Sequence, residues 1–284
     1  MDFIATYFSD LANNLLPGIR VEGMRYLIGT VGVFLITWVL LKPVLVNRLI
    51  RKRPPRKLLN RQVMRELKNS FLTILVFIAA YTFVEAGSKA VFGVDIFMFY
   101  HDINEYPLWW VPVSIVLFAV GLDTWFYWTH RFMHHPKFYK FFHMEHHRSH
   151  SPTPFTAYSF SPSEAVLVYL FVPVFQLIVP MHWSAFIISM LIQTSRNALA
   201  HCGYEVFPRG WTRLPGFNLL TTVTHHDLHH ERSHGNYAFY FTFWDRLMGT
   251  EDPDYEKRFD AVTQPRAPET SATNPAHKGK TIRL

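Results

Sequence analysis

The sequence predicts an all-α, polytopic membrane protein: about four transmembrane helices or hairpin elements, with a cytoplasmic helical cap that holds a histidine-rich dimetal site. Three observations lead there. Stretches apolar enough to cross a bilayer alternate with polar ones in a chain of 284 residues that is 49% hydrophobic and 17% aromatic, yet its mean hydropathy is only +0.06. Fourteen of the sixteen histidines fall between His130 and His234, most of them three or four residues apart. A dense basic run, Arg48, Arg51, Lys52, Arg53, Arg56 and Lys57, follows the first apolar stretch.

The elements follow in order. Met1-Asp-Phe-Ile-Ala lacks the positive start of a secretory signal, so the amino-terminal segment is expected to stay attached and to lie at the membrane interface. Residues 26–46 are nearly free of charge up to Lys42, and residues 71–92 are broken mainly by Glu85 and Lys89. Both approach the roughly 20 residues that cross the hydrocarbon. A third run, 108–128, is interrupted by Asp123, and a fourth region, 165–199, has the length of a helical hairpin, bent by Pro173 and Pro180. Residues 93–107 read as a loop on the far side. One membrane-embedded domain over residues 1–262 accounts for all of this, with the histidine boxes in 122–250. Residues 263–284, rich in Pro, Ser and Thr without periodicity, are expected to be a disordered tail.

The net charge of +7 does not point to nucleic acid, because aromatics are not interleaved with the cations. Basic residues beside an apolar run mark a cytoplasmic flank instead. Counting segments from that flank brings the third run to the inner face just before His130, and a hairpin in the fourth region returns His201 there too. Every histidine cluster then lies on the cytoplasmic face. The single cysteine, Cys202, excludes an intrachain disulfide, a four-cysteine iron–sulfur cluster and a cysteine-rich zinc module.

The clusters are His130 with His134, His143 with His146 and His147, Asn197 with His201, and His226 with His229 and His230. On a helix, residues three and four apart share a face, so each cluster can aim its imidazoles at one point. Imidazole binds iron, zinc and copper, and nine rings exceed the needs of one four-coordinate ion. Two ions are the economical reading. His101, His182 and His277 stand alone and read as structural or surface residues.

These boxes resemble, in order, those of the fatty acid hydroxylase and sterol desaturase superfamily. Asn197 stands where some members have histidine. Ser161-Pro-Ser-Glu164 is similar to the family's His-Pro-Leu-Glu stretch with serine in place of the histidine, and Asn236-Tyr237 and Trp244-Asp245 are also family-like. The resemblance implies metal ligation by His130, His134, His143, His146, His147, His201, His226, His229 and His230. It implies two iron ions, with zinc able to replace them in purified protein, and dioxygen as co-substrate. The implied reaction is hydroxylation or desaturation of a lipid C–H bond, of sterol or fatty acyl type, with the sterol branch favoured. No side chain supplies an oxidant for that step. With no nicotinamide-binding glycine fingerprint in the chain, two electrons are expected from a separate carrier such as a b-type cytochrome, a ferredoxin or a reductase.

Asp123, Asn197 and Glu164 are candidate supporting residues, since metal-bound imidazoles usually donate their second ring N–H to an acceptor. Asp123 stands out because an ionisable side chain in an apolar segment is costly and needs a partner. Glu145, Glu205, Asp227 and Glu231 are further carboxylates near the boxes, and His135, His150, His225 and His234 are histidines left outside the ligand set. Two rivals remain. His230-Glu231-Arg-Ser-His234 satisfies the H-E-x-x-H pattern of a zinc peptidase, although Gly235 and Asn236 would end the helix it needs, and paired histidines also ligate haem in membrane proteins.

Overall fold

The structure, a computed structural model, describes residues 3–94 and 96–264. The expected disordered tail of 263–284 starts too early, because Thr263 is buried in the last turn of the helix Tyr255–Thr263; the rest of it from residue 265, with His277, and the first two residues lie outside the described residues. The described chain is mainly helical. Helix α1 runs from Phe3 to Leu40, α2 is Arg56–Phe92 and α3 is Trp110–Met133, and these three are long and apolar enough to cross a membrane. At about 1.5 Å per residue, α1 and α2 each approach twice the roughly 30 Å hydrocarbon thickness. Each therefore has a full turn or more to spare outside the bilayer.

Helix α1 corrects one expectation. The amino-terminal segment does not lie apart from the first apolar run but continues straight into it. The backbone at the junction, Tyr26, is helical (φ −63°, ψ −45°), and wider-wound π turns at Leu27–Val31 and Leu35–Leu40 carry the helix onward. α1 packs along α2 for most of its length and crosses α8 (Trp183–Ala200) at Gly29, where a Cβ would stand 2.6 Å from the Thr194 side chain.

The fourth apolar region is a broken hairpin. Short helices α6 (Pro162–Tyr169) and α7 (Phe171–Gln176) form one arm, α8 forms the other, and Pro173 lies in the first turn of α7, where its missing N–H costs nothing. The hairpin turn is tied down by a feature the sequence did not signal. Strand β1 (Phe99–Tyr100) in the 93–107 loop pairs in parallel with β2 (Met181–His182), and His182 Nε2 lies 3.1 Å from the His101 carbonyl oxygen.

The remaining elements build a cap at one end of this stem: α4 (Pro136–Phe142), α5 (Met144–His147), α9 (Val223–Arg232), α10 (Phe243–Leu247) and α11 (Tyr255–Thr263). Its seam with α2 is organised by Glu66, fully buried, whose carboxylate accepts from Gln62, Thr153 and Thr156. The basic run after α1 divides in two. Arg48 donates to the Glu205 and Phe207 carbonyls, Arg51 pairs with Asp227, and Arg53 donates to the Pro152 and Cys202 carbonyls while stacking 4.4 Å over Trp38. Only Lys52, Arg56 and Lys57 stay exposed. Half of the cationic run thus clamps the cap to the stem.

Candidate metal centre

Nine imidazoles converge where the cap meets the stem, and they divide into two sets. The ligating nitrogens of His130, His134, His143, His147 and His229 all lie within 4.8 Å of one another, as do those of His146, His201, His226 and His230. These are the nine histidines named from the boxes, and the two three-histidine boxes are each split between the sets. His130 and His134 come from the last turns of α3. His143 sits at the break between α4 and α5, with φ −121°, and shares a set with His147, four residues on. His146 points the other way, towards His201 at the end of α8. On α9, His229 faces the first set while His226 and His230 face the second. The sets adjoin: the rings of His143 and His146 stack 5.0 Å apart, and those of His147 and His230 4.7 Å apart.

The ring tautomers reveal what holds these nitrogens together. The Nδ1 atoms of His130, His201 and His229 lie 2.8, 2.7 and 2.8 Å from the carbonyl oxygens of Tyr237, Asn197 and Gly235. A carbonyl only accepts, so each Nδ1 carries the proton and each Nε2 of the neutral ring is a bare lone pair. His229 Nε2 is 3.1 Å from His134 Nε2 and 3.0 Å from His147 Nε2. His201 Nε2 is 3.2 Å from His146 Nε2 and 2.9 Å from His226 Nε2. One lone pair facing two ring nitrogens is poorly served by hydrogen bonds, whereas a cation satisfies all three. Two nitrogens about 2.1 Å from a shared ion stand about 3.0 Å apart at a right angle and about 3.4 Å at a tetrahedral one, so these spacings match near-right-angle coordination. His230 adds a second sign, because both of its ring nitrogens are buried without a hydrogen-bond partner. The residues fit metal ions.

Electrostatics agrees. Burial pushes His201 down to about 4 and His134 to about 2, and holds His143, His146, His147, His226, His229 and His230 well below the ordinary imidazole range. The rings are neutral at pH 7, the form that binds metal.

The supporting residues act at different removes. Glu164 Oε1 lies 2.7 Å from His143 Nδ1. It is placed there by Ser161, which caps α6 by accepting from the Glu164 N–H, with Pro162 at the first helical position. Asn197 contributes its carbonyl to His201, while its side chain donates to the Ala157 carbonyl. Asp123 touches no imidazole nitrogen. Its Oδ1 accepts from the backbone N–H groups of Phe239, Tyr240 and Phe241, steadying the segment whose Tyr237 carbonyl orients His130. Replacing Glu164 with glutamine is expected to weaken metal retention about 10- to 100-fold in chelator competition, and unchanged retention would show that the carboxylate does nothing for His143.

The other carboxylates lie elsewhere. Glu145 binds Asn69 and Arg148, Asp227 pairs with Arg51, and Glu231 faces Arg258. Glu205 accepts from the Thr224 N–H and hydroxyl at the start of α9. Of the histidines set aside, His135, His150 and His234 are exposed. His225 is buried between Asp245, 3.5 Å away, and the Tyr255 ring, outside both sets. Asp245 is the main residue that sequence reasoning passed over. It accepts from the Tyr237 and Ala238 N–H groups and from Thr250, so it fixes the same loop as Asp123, and its only signal was its place in the Trp244-Asp245 pair. The orienting carbonyls of Gly235 and Tyr237 leave no mark in side-chain identity.

A family model described as fatty acid hydroxylase matches residues 115–250, which contain all nine imidazoles. Over those residues the chain is similar to the fatty acid hydroxylase and sterol desaturase superfamily. It is similar to the Delta(7)-sterol 5(6)-desaturase ERG3B of Gibberella zeae, 28% identical over 80% of this chain and 68% of that protein. It is also similar to the lathosterol oxidase of Homo sapiens, 30% identical over 68% of this chain and 62% of that one. Methylsterol monooxygenase 1 of Rattus norvegicus is 33% identical over 53% of this chain and 51% of its own length. No solved structure matches. These likenesses, the imidazole sets and the long apolar helices make the protein a metal-binding oxidoreductase of membranes.

Proposed function

We propose that this protein is a membrane-bound dinuclear iron oxygenase that hydroxylates or desaturates a C–H bond of a lipid, a sterol in the first instance, using dioxygen and two electrons from a separate carrier. The observation that carries this reading is the pair of adjoining imidazole sets, whose bare Nε2 lone pairs face one another. A pair of iron ions held there supplies the oxidising power for cutting an unactivated C–H bond, which no side chain has. Hydroxylation and desaturation begin with the same hydrogen abstraction, so the ligands serve both.

The chain's own residues do the rest. The carbonyls of Tyr237, Asn197 and Gly235 and the carboxylate of Glu164 hold four rings in the ligating tautomer. A cavity of about 660 Å3 opens in the stem between α1, α2, α3 and α8, walled mainly by aromatic and aliphatic side chains. At one end it reaches Phe160, whose ring is 5.5 Å from that of His146, and Asn197, which orients His201. An apolar cavity of this size that ends beside the imidazoles suits a lipid and keeps water from the reacting carbon. The sterol assignment rests on the relatives' own substrates. The exposed Lys52, Arg56 and Lys57 at the cap end support a cytoplasmic cap, with the hairpin of α6, α7 and α8 completing a fourth membrane element, and an electron carrier would meet the metals from that side.

Geometry disfavours both rivals. α9 ends at Arg232, and Ser233 takes a left-handed conformation (φ 58°). Gly235 follows so close to the Thr250 carbonyl that a Cβ would stand 2.7 Å from its oxygen. His234 therefore leaves the helix face of His230 and is exposed, as an H-E-x-x-H helix cannot be. Within the two sets, rings 4.4–5.0 Å apart, such as His130 and His229 or His201 and His230, leave no slot for a porphyrin. The deciding experiment is metal analysis together with lipid mass spectrometry of a supplied Δ7-sterol. Iron-loaded protein should convert the sterol only with dioxygen and reductant, and His234→Ala should keep both metal and turnover. Turnover without dioxygen, or one ion lost equally in His230→Ala and His234→Ala, would defeat the reading.

A further inference from the structure

Helix α1 carries a charged pair where an apolar span should have none. Glu22 and Arg25 are bonded to each other one turn apart, with side chains only 19% and 10% exposed, and both line the stem cavity. The pair is not a necessity of packing, since a buried ion pair can usually be replaced by apolar residues of similar volume at little or no loss of stability. Nor is it self-sufficient: Arg25 Nε is buried without a hydrogen-bond partner. The guanidinium instead sits between rings, 6.0 Å from the centre of Phe77 and 5.9 Å from that of Tyr158. Ionisable groups inside a membrane span mark ligand pathways by default.

Position along the cavity gives the pair its meaning. From Tyr158 the ring of Phe160 is 6.5 Å away, and from Phe160 that of His146 is 5.5 Å away, so Arg25 stands near the metal-facing end. Aromatic rings dominate the opposite end, where Phe97, Phe99 and Trp183 line it beside the β1 and β2 pair.

We propose that Glu22 and Arg25 form the binding site for a hydroxyl on the lipid substrate, the guanidinium donating to the hydroxyl oxygen and the Glu22 carboxylate accepting a hydrogen bond from the hydroxyl O–H. This deepens the proposed function and rests on it for the nature of the substrate. A hydroxyl held there puts the polar head of the lipid, rather than its tail, at the metal-facing end, with the apolar skeleton extending towards Trp183. Sterols and long-chain alcohols share that chemistry.

Competition binding tests it without turnover. The fluorescent sterol dehydroergosterol, excited by energy transfer from the protein's tryptophans, is displaced from the metal-loaded protein by 5α-cholestan-3β-ol or by its hydrocarbon 5α-cholestane, and in a parallel arm by hexadecan-1-ol or hexadecane. In wild type, one alcohol should compete roughly 10- to 100-fold better than its hydrocarbon, the span expected of a hydrogen bond to a charged group, and the arm that shows it identifies the skeleton. In Glu22→Leu/Arg25→Leu the preference should fall to near one, with metal content unchanged. If the leucine variant does not retain metal, Glu22→Met/Arg25→Met, whose unbranched side chains make no ordinary hydrogen bond to a hydroxyl, gives the same reading. No alcohol preference in wild type, or a preference that survives in the variant, overturns the proposal. Because metal content and turnover are not the readout, this failure is distinct from failure of the oxygenase reading.

Discussion

Replacing His229 with alanine is expected to empty the first imidazole set and abolish activity. His229 Nε2 is the shared neighbour of His134 and His147, its Nδ1 is locked on the Gly235 carbonyl, and its ring lies between those of His130 and His226. Losing a residue that merely orients a ligand costs about 10- to 100-fold in metal affinity, so losing this ligand should cost more than 100-fold and leave the purified protein short of about one ion per chain. Elemental analysis beside a His150→Ala control checks it. His150 is exposed and outside both sets, so that control should keep its metal. Full metal content in the His229 variant would show that the convergence of nitrogens is not a metal site.

The second large effect concerns stability. Asp123 is 3% exposed and its Oδ1 accepts from three successive backbone N–H groups, at 3.3, 2.6 and 3.1 Å. Asp123→Ala strands all three. A buried donor left unsatisfied costs about 1–3 kcal/mol, so the variant should lose about 3 kcal/mol or more, together with metal, because the loop of 237–241 carries the carbonyl that orients His130. Asp123→Asn keeps one acceptor oxygen and should cost less. Thermal unfolding of the detergent-solubilised protein measures both. An alanine variant as stable as wild type would mean that the three amides find other partners.

These two residues show how unevenly the site was written in the sequence. The histidine boxes were legible because imidazole is a common metal ligand and helical spacing puts residues three and four apart on one face, so His130 with His134 or His226 with His230 could be paired from their numbers. Asp123 was conspicuous, since a carboxylate in an apolar run needs a partner, but its partners lie more than a hundred residues away in a loop that presents only backbone. Asp245 was less conspicuous still, being an ordinary aspartate until the fold brings it to that same loop. The basic run after the first apolar stretch had a local explanation in membrane topology, yet three of its arginines are engaged by groups 98 to 176 residues distant.

By itself the sequence determined where apolar stretches fall, the order of the histidine boxes and the likeness to the superfamily, because each follows from residue type and short-range spacing. Tertiary structure alone decided how the boxes divide. One step along a helix turns a side chain by about 100°, so His146 and His147 must look in different directions, but which partners wait there depends on where α3, α8 and α9 are packed. The same packing buried His225 beside Asp245, turned His234 out to solvent and left a lipid-sized cavity beneath the second imidazole set. Local spacing sets which residues share a face, and only long-range packing sets which faces meet.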